Sequence, residues 1–255
     1  FLLFIYFIIS LFPASDADSL TYHLFLPNLL IENNHFPESS NQVIFRVFSS
    51  SETLLIISNF LKSDNFGSIL NFFTILTISI YFLKKKNYLT LLFILASPLM
   101  IFFVSTQKLQ IFFGLIYLTL IILIYEKKYL NLFYLFLISF LLVFYTSGKL
   151  NYIIFAIPLF FLIIYKLKKI NLIKQFILYC TISFLVIYFP ILLKKFILYG
   201  DPFSPFLEFL KAESNQLVNQ YAIALRSSEG WLNQGWSEDY TNFFNTLLRL
   251  LVPLK

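Results

Sequence analysis

Two carboxylates, Asp16 and Asp18, follow the first apolar stretch of the chain, in the sequence DADSLTYHL. A carboxylate at the mouth of an apolar bundle lies in a low dielectric, where it can act as a general base, stabilise a developing cation or bind a metal. On a helix, Asp18 and Tyr22 share a face because they are four residues apart, and His23 follows. The pattern Ser15-x-x-Asp18 also matches a capping box, so helix capping is the simpler alternative for the aspartates.

Two lysines, Lys108 and Lys149, stand at the ends of predicted helices. A lysine is a good point charge for phosphate, so the pair is typical of a site for the phosphate of a lipid carrier. Gln107 and Tyr152 would add hydrogen bonds to the same site. The alternative is that each lysine extends along the helix end to reach the membrane interface.

The composition predicts a membrane protein. Of 255 residues, 59% are hydrophobic and only 13% are charged, whereas about a quarter of a soluble domain is charged. In a membrane protein the net charge of +6 gives no reason to expect a nucleic-acid partner. With one cysteine and two histidines, an intrachain disulfide is excluded and no metal ligands are predicted, although a divalent metal cofactor stays open.

Long apolar runs predict an all-α polytopic bundle, because about 20 apolar residues are needed to span a bilayer. We expect about seven to eight transmembrane helices in one domain, 1–255, which we interpret as a fragment because it starts at Phe1 and ends after a new apolar run. The predicted spans are 1–12 (truncated), 67–83, 88–105, 109–125, 129–146, 150–165, 173–193 and the start of another at 241–254.

Lysines set the predicted orientation. The connections at 84–86, 126–128 and 166–174 are basic and those between them are nearly neutral, so the basic connections are predicted to be cytoplasmic. Parity then puts four polar segments on the opposite side of an inner, cytoplasmic membrane: a first outer loop at 13–66, turns at 104–108 and 146–150, and a second outer loop at 194–240. The candidate site residues lie in or beside these segments and are expected to converge.

Helices are also predicted within the outer loops. Residues 18–32 suit an interfacial helix that Pro27 would kink or end, and 51–62 suit a second, capped by Ser50 or Ser51. The sequence Gly-Asp-Pro at 200–202 reads as a turn. Further along, Trp231 and Trp236 fit interfacial anchoring.

The stretch DSLTYHLFLPNLLIENNHF (18–36) resembles the first outer loop of bacterial GT-C-type membrane glycosyltransferases, which are related to protein O-mannosyltransferases and to the lipid A aminoarabinose transferase. Ser97-Pro98 within a helix, followed by a polar turn at 105–108, looks like the family's third and fourth helices. YGDPFSPF (199–206) is similar to its outer Gly-Asn-Pro-x-x-Pro-Phe segment. Glu52 stands where the family often has Glu.

The resemblance implies an inverting hexosyltransferase of the cell envelope. It would move a sugar from a polyprenyl-phosphate donor to a glycan, lipid or protein acceptor at the periplasmic or extracellular face. Asp18 would be the general base, with Asp16 as second choice, and Tyr22 and His23 would shape the sugar site. Lys108 and Lys149, with Gln107 and Tyr152, would hold the donor phosphate.

Other membrane classes stay open at this point. A polysaccharide polymerase or ligase is also polytopic with a large outer loop, but such proteins tend to use outer Arg and His residues, which are few here. A lipid or solute transporter would place charges mid-helix and show an internal repeat, and the sequence shows neither. A non-catalytic scaffold gives no reason for polar residues to gather on one side.

Overall fold

The computed structural model describes residues 1–14, 16, 19–33, 46, 48–126, 131–149, 151–168 and 172–203. Every regular element in these ranges is helical, which confirms the predicted all-α class. In chain order the elements are α1 (Leu2–Ser10), a π-helical turn (Ser19–His23), α2 (Phe25–Asn33), α3 (Ser50–Leu61), α4 (Phe66–Lys84), α5 (Tyr88–Leu95), α6 (Pro98–Val104), α7 (Gln110–Glu126), α8 (Leu132–Gly148), α9 (Tyr152–Lys168), α10 (Ile173–Ser183), a second π-helical turn (Phe184–Tyr188) and α11 (Phe189–Tyr199).

The apolar side chains form two main packed clusters. In the first, α1, α4 and the α5–α6 pair meet around Tyr6, Ile75 and Val104, and the Tyr6 hydroxyl donates to the carbonyl of Leu95. In the second, α7 to α10 pack around a buried column that includes Leu120. Because α4 also packs against α7, the two clusters are parts of one bundle.

Within the part of the chain that the structure describes, two helices are long and apolar enough to cross a membrane by length and composition: α4, and the continuous Ile173–Tyr199 that joins α10, its π-helical turn and α11. The second is 27 residues long and only 11% of its apolar window is buried, so most of its apolar surface faces outward. Three further apolar helices, Gln110–Tyr125, Leu132–Gly148 and Tyr152–Leu167, are shorter.

The predicted span at 88–105 is wrong as a single helix, because it breaks at Ala96 and Ser97. Ser97 is extended (φ −70°, ψ 124°) and α6 begins at Pro98. A proline disfavours helical geometry at the residue before it, and at the first position of a new helix its missing N–H costs nothing. The result is two short helices where one was expected.

The helix predicted at 18–32 divides at Leu24, three residues before Pro27, between the π-helical turn and α2. This agrees with the prediction that Pro27 would kink the helix or end its first part. Pro27 therefore falls in the first turn of α2, where backbone N–H groups have no partner within the helix and a proline is tolerated.

Other loop predictions are close to the structure. The helix predicted at 51–62 is α3, with Ser49 rather than Ser50 or Ser51 preceding its first residue. The turn at 200–202 is confirmed: Gly200 ends α11 in the left-handed conformation (φ 67°), and Asp201 Oδ1 accepts from Phe203 N at 2.8 Å. The segment 241–254 and both tryptophans lie outside the described residues.

Candidate functional site

The polar segments of the chain meet at one end of the bundle. We call this the polar end and define it by the described residues of five stretches: 16 and 19–23, 49–52, 103–110, 147–149 and 195–203. Contacts among the first four are direct, and α11 brings the fifth close enough for its charges to interact with Glu52. Asp16, His23, Gln107, Lys108 and Lys149 therefore lie at one end of the bundle.

Asp16 closes the start of the first π-helical turn. Its Oδ1 accepts from Ser19 N at 3.0 Å, so Asp16 is the capping residue, whereas the sequence pattern assigned the cap to Ser15 and Asp18. The same oxygen lies 3.8 Å from Lys108 Nζ. Asp16 Oδ2 has no hydrogen-bond partner among the described residues. Asp18 lies outside the described residues, and the side chain of Tyr22 does too.

Gln107 is buried and its polar atoms are used inside the protein. Its Oε1 accepts from Gly67 N at 2.7 Å and its Nε2 donates to Ser68 Oγ at 2.9 Å, so it satisfies the first turn of α4. Its backbone N donates to Ser19 Oγ at 2.9 Å. A Cβ on Gly67 would lie 2.5 Å from Gln107 Oε1, so a glycine is needed there. The geometry gives Gln107 a structural role in place of the predicted contact with substrate.

Asn71 holds the connection between α6 and α7 in place. Its Nδ2 lies 2.9 Å from the carbonyl oxygen of Phe103 and 2.7 Å from that of Lys108, and the side chain is fully buried. Sequence reasoning missed Asn71, although a lone Asn in an apolar span is a signal of a buried polar contact. This contact fixes the backbone from which the Lys108 side chain extends.

Lys108 and Lys149 are linked through Gln110. In the amide orientation that satisfies both groups, Gln110 donates to the Lys108 carbonyl at 3.3 Å and accepts from Lys149 Nζ at 3.0 Å. Lys108 Nζ also lies 5.0 Å from the centre of the Phe102 ring, a cation–π contact. Gln110 thus joins the Lys149 ammonium to the backbone of Lys108, while the Lys108 ammonium lies beside Asp16 and Phe102.

His23 and Glu52 form a buried pair. The predicted site residues include His23 but not Glu52. His23 Nδ1 lies 3.2 Å from Glu52 Oε1, with the side chains 1% and 2% exposed. Burial acts to raise the pKa of the Glu52 carboxyl. The imidazole of His23, followed by the Ser49 hydroxyl and the charge of Lys149, outweighs burial and lowers that pKa from 4.5 to about 2. Glu52 is therefore a carboxylate at neutral pH.

The pattern Ser49-x-x-Glu52 is a capping box, and this was the signal for Glu52 in the sequence. Ser49 N donates to Glu52 Oε2 at 2.9 Å, as a capping box requires. The resemblance also marked Glu52, but the site prediction did not include it. Its burial against His23 depends on tertiary packing and has no local signal.

Tyr152 lies in a stack of aromatic rings at the start of α9. Its ring is 4.9 Å from that of Tyr145, with the planes 15° apart, and 5.4 Å from that of Phe113. Gly148 makes room for this stack, because a Cβ there would lie 2.4 Å from a ring carbon of Phe113. Tyr152 is therefore part of the core beside the site.

Two further charged residues reach the polar end near the end of α11. The Arg46 guanidinium lies 4.9 Å from the centre of the Tyr199 ring, and Arg46 is 3% exposed. Asp201 is 7% exposed, and the charges of Asp201 and Glu52 both act on Lys195. The sequence-based site prediction included none of these residues.

Comparison of the chain with protein-family models, with curated proteins and with solved structures finds no match. Among the described residues, no group of three or more His, Cys, Asp or Glu side chains is placed to hold a metal ion. The functional argument therefore depends on the residues of the polar end and on the apolar surface below it.

Proposed function

We propose that the chain is the membrane part of an inverting GT-C-type glycosyltransferase, which moves a sugar from a polyprenyl-phosphate donor to an acceptor hydroxyl. In this proposal the bundle is multi-pass, with about seven to eight spans, and the polar end lies at the non-cytoplasmic face of the inner membrane. The observation that carries the proposal is the contact of Asp16 with Lys108, together with the link from Lys149 through Gln110 to the Lys108 backbone, at one end of an apolar helical bundle.

The chemistry asks for two charges of opposite sign within reach of one sugar. The acceptor oxygen attacks the anomeric carbon from the face opposite the phosphate, its proton passes to a carboxylate, and the bond from the anomeric carbon to the phosphate oxygen breaks. The phosphate then leaves with the lipid. A lysine beside that phosphate stabilises the charge that develops on it.

The contacts at the polar end refine the roles that the sequence suggested. Asp16 is engaged with Ser19 N and Lys108, which favours Asp18 as the base and gives Asp16 a supporting position. Lys149 is next to Gln110 and within the field of Glu52, and in this proposal it contacts the donor phosphate. Tyr22 and His23 belong to the turn that borders the sugar.

The test is sugar transfer by the full-length protein in liposomes, with synthetic polyprenyl-phosphate hexoses (radiolabelled glucose, mannose and galactose) as donors and cell-envelope extract as acceptor. We expect release of polyprenyl phosphate by the wild type and a loss of about 100-fold or more in Asp18→Asn. Asp64→Asn is the matched control, because it makes the same change at an exposed position of the same predicted outer loop. Full activity of Asp18→Asn would remove the assigned base.

The orientation has a separate test. Single cysteines at Lys62 and Lys85, both exposed, are introduced in a Cys180→Ala background and treated with a membrane-impermeant maleimide in intact cells. We expect labelling at position 62 and protection at position 85. Labelling of both positions from outside would contradict the proposed orientation of the bundle.

A further inference from the structure

Glu52 is fully occupied by protein partners. Its Oε2 accepts from Ser49 N at 2.9 Å, and its Oε1 lies 2.9 Å from Ser51 Oγ and 3.2 Å from His23 Nδ1. The side chain is buried, so no substrate atom reaches the carboxylate. Glu52 therefore has the surroundings of a group that holds other groups in place, and it lacks the open side that a general base needs.

The serines around this carboxylate also contact the end of α8. Ser49 Oγ lies 2.6 Å from the carbonyl oxygen of Gly148, and Ser51 Oγ lies 3.2 Å from the same atom. The hydroxyl of Ser147 donates to Ser50 Oγ at 2.8 Å. These contacts join the first turn of α3 to the last turn of α8, directly before Lys149.

One carboxylate thus connects three parts of the polar end. The carboxylate lies directly beside His23 of the π-helical turn. At the start of α3, the hydroxyls of Ser49 and Ser51 link it to the carbonyl of Gly148 in α8. His23 is the last residue of that turn, and Lys149 follows the last residue of α8. A shift of Glu52 would therefore change the distance between the turn and Lys149.

We propose that Glu52, acting through His23 and Gly148, is the positioning residue of the polar end and sets the distance between the Ser19–His23 turn and Lys149. This inference rests on the proposed function, in which the turn borders the sugar and Lys149 contacts the donor phosphate. Glu52 itself touches no substrate. Its contribution to the reaction comes through geometry, and a displacement of about 1 Å between reacting groups can cost about 100-fold in rate.

The test combines kinetics with a distance measurement. Glu52→Gln keeps the shape and the bond from Ser49 N but removes the charge, and His23→Gln removes the imidazole and leaves the carboxylate. In both variants we expect kcat for sugar transfer to fall about 100-fold, with KM for the donor within about twofold of the wild-type value because Lys149 is retained. Glu32→Gln on α2 is the matched control, because Glu32 is exposed.

The position of the turn is measured independently of activity. Spin labels are placed at Leu20 in the turn and at Lys84, both exposed, in a Cys180→Ala background. Since α4 is about 28 Å long, the label at Lys84 serves as a fixed reference at the far end of α4 from Gly67 and Ser68, which contact the polar end. Pulsed electron–electron double resonance on the monodisperse fraction should give a narrow distribution of label-to-label distances in the wild type. The distribution should be broader or shifted in Glu52→Gln and His23→Gln.

The outcomes separate this inference from the function on which it rests. A wild type that transfers no sugar overturns the proposed function, and the distance distribution then decides alone whether Glu52 fixes the turn. A wild type that transfers sugar, with unchanged kcat or an unchanged distribution in both variants, overturns the positioning role and leaves the proposed function standing. A fall in kcat together with a broader distribution supports both. If Glu52→Gln is not monodisperse, His23→Gln decides.

Discussion

The Ser19–His23 turn is held at its start by the contact of Asp16 with Lys108 and at its end by the contact of His23 with Glu52, and the two pairs differ in burial. Lys108 Nζ and Asp16 Oδ1 are 3.8 Å apart, with side chains 13% and 19% exposed, whereas His23 Nδ1 and Glu52 Oε1 are 3.2 Å apart, with side chains 1% and 2% exposed. An exposed pair contributes about 0–1 kcal/mol and removing one member of a fully buried pair costs about 3–5 kcal/mol, so the partly buried pair should contribute less than the fully buried one. Burial, more than charge, decides how much each end depends on its pair.

The largest expected effect is at the buried end. Glu52→Ala should lower the free energy of unfolding by about 3–5 kcal/mol, because it removes the carboxylate beside the buried imidazole of His23 and the acceptor of the α3 cap. Chemical unfolding in detergent micelles, followed by circular dichroism, measures the change. Glu32→Ala, at an exposed position of α2, should change the free energy of unfolding by less than about 0.5 kcal/mol. Equal losses in the two variants would contradict the comparison.

A lower pH should reduce the stability that Glu52 contributes beside His23. The pKa of Glu52 is about 2 in the folded protein, below its ordinary value of 4.5. A carboxyl with a lowered pKa contributes stability that is fully present above pH 4.5 and is lost as the pH falls toward 2. Wild type should therefore lose more of its unfolding free energy than Glu52→Gln between pH 5 and 3. Parallel curves for the two proteins over that window would show that Glu52 is not ionised in the fold.

Close packing between Gly67 and Gln107 should have a smaller effect on the free energy of unfolding. Gly67→Ala should cost about 1–3 kcal/mol, because the new methyl group would lie 2.5 Å from Gln107 Oε1 and 3.0 Å from its Cα. Gly114→Ala is the matched control in α7, where nothing lies within 4 Å of the added carbon. That substitution should be neutral or stabilising, since alanine is favoured over glycine in a helix. If both variants were destabilised by the same amount, the loss would come from the change of backbone conformational freedom and not from the contact with Gln107.

The smallest effect is expected at the partly buried Lys108–Asp16 pair itself. Asp16→Asn keeps an oxygen that can accept from Ser19 N and removes only the charge opposite Lys108. The expected loss is at most about 1 kcal/mol and should shrink as salt is added. Unfolding at low and high ionic strength checks both points, with Asp64→Asn as control. A loss as large as that of Glu52→Ala would mean that the two ends do not differ in the way their burial indicates.

Sequence patterns predicted the parts of this fold that depend on local preferences. Apolar runs located most of the helices, and α4 differs from its predicted span by one residue at each end. The helix at 173–193 continues to Tyr199 through a π-helical turn before Pro190, whose missing N–H removes one helical hydrogen bond. Local preferences failed at Ser97-Pro98, where the helix was expected to continue and instead breaks.

Residue types at the polar end predicted charge and possible chemistry. They did not predict which side chains use their polar atoms for contacts inside the protein. Gln107 was predicted to contact substrate and is buried against Gly67 and Ser68. Glu52 was left out of the predicted site and holds three of its stretches together. The contact of Gln107 with Gly67 and that of Glu52 with His23 have no local signal, because each joins residues that are far apart in the chain.

The sequence by itself determined an apolar, all-helical chain whose polar residues fall at the helix ends, since helix formation and the exclusion of charge from apolar surroundings depend on composition and spacing. Only the tertiary structure decided which charges are paired and how deeply. Burial arises when several helices close around a side chain, and that is a property of their packing and not of any one segment. Asp16 and Glu52 are both carboxylates beside a helix start, and the bundle leaves one near solvent and encloses the other.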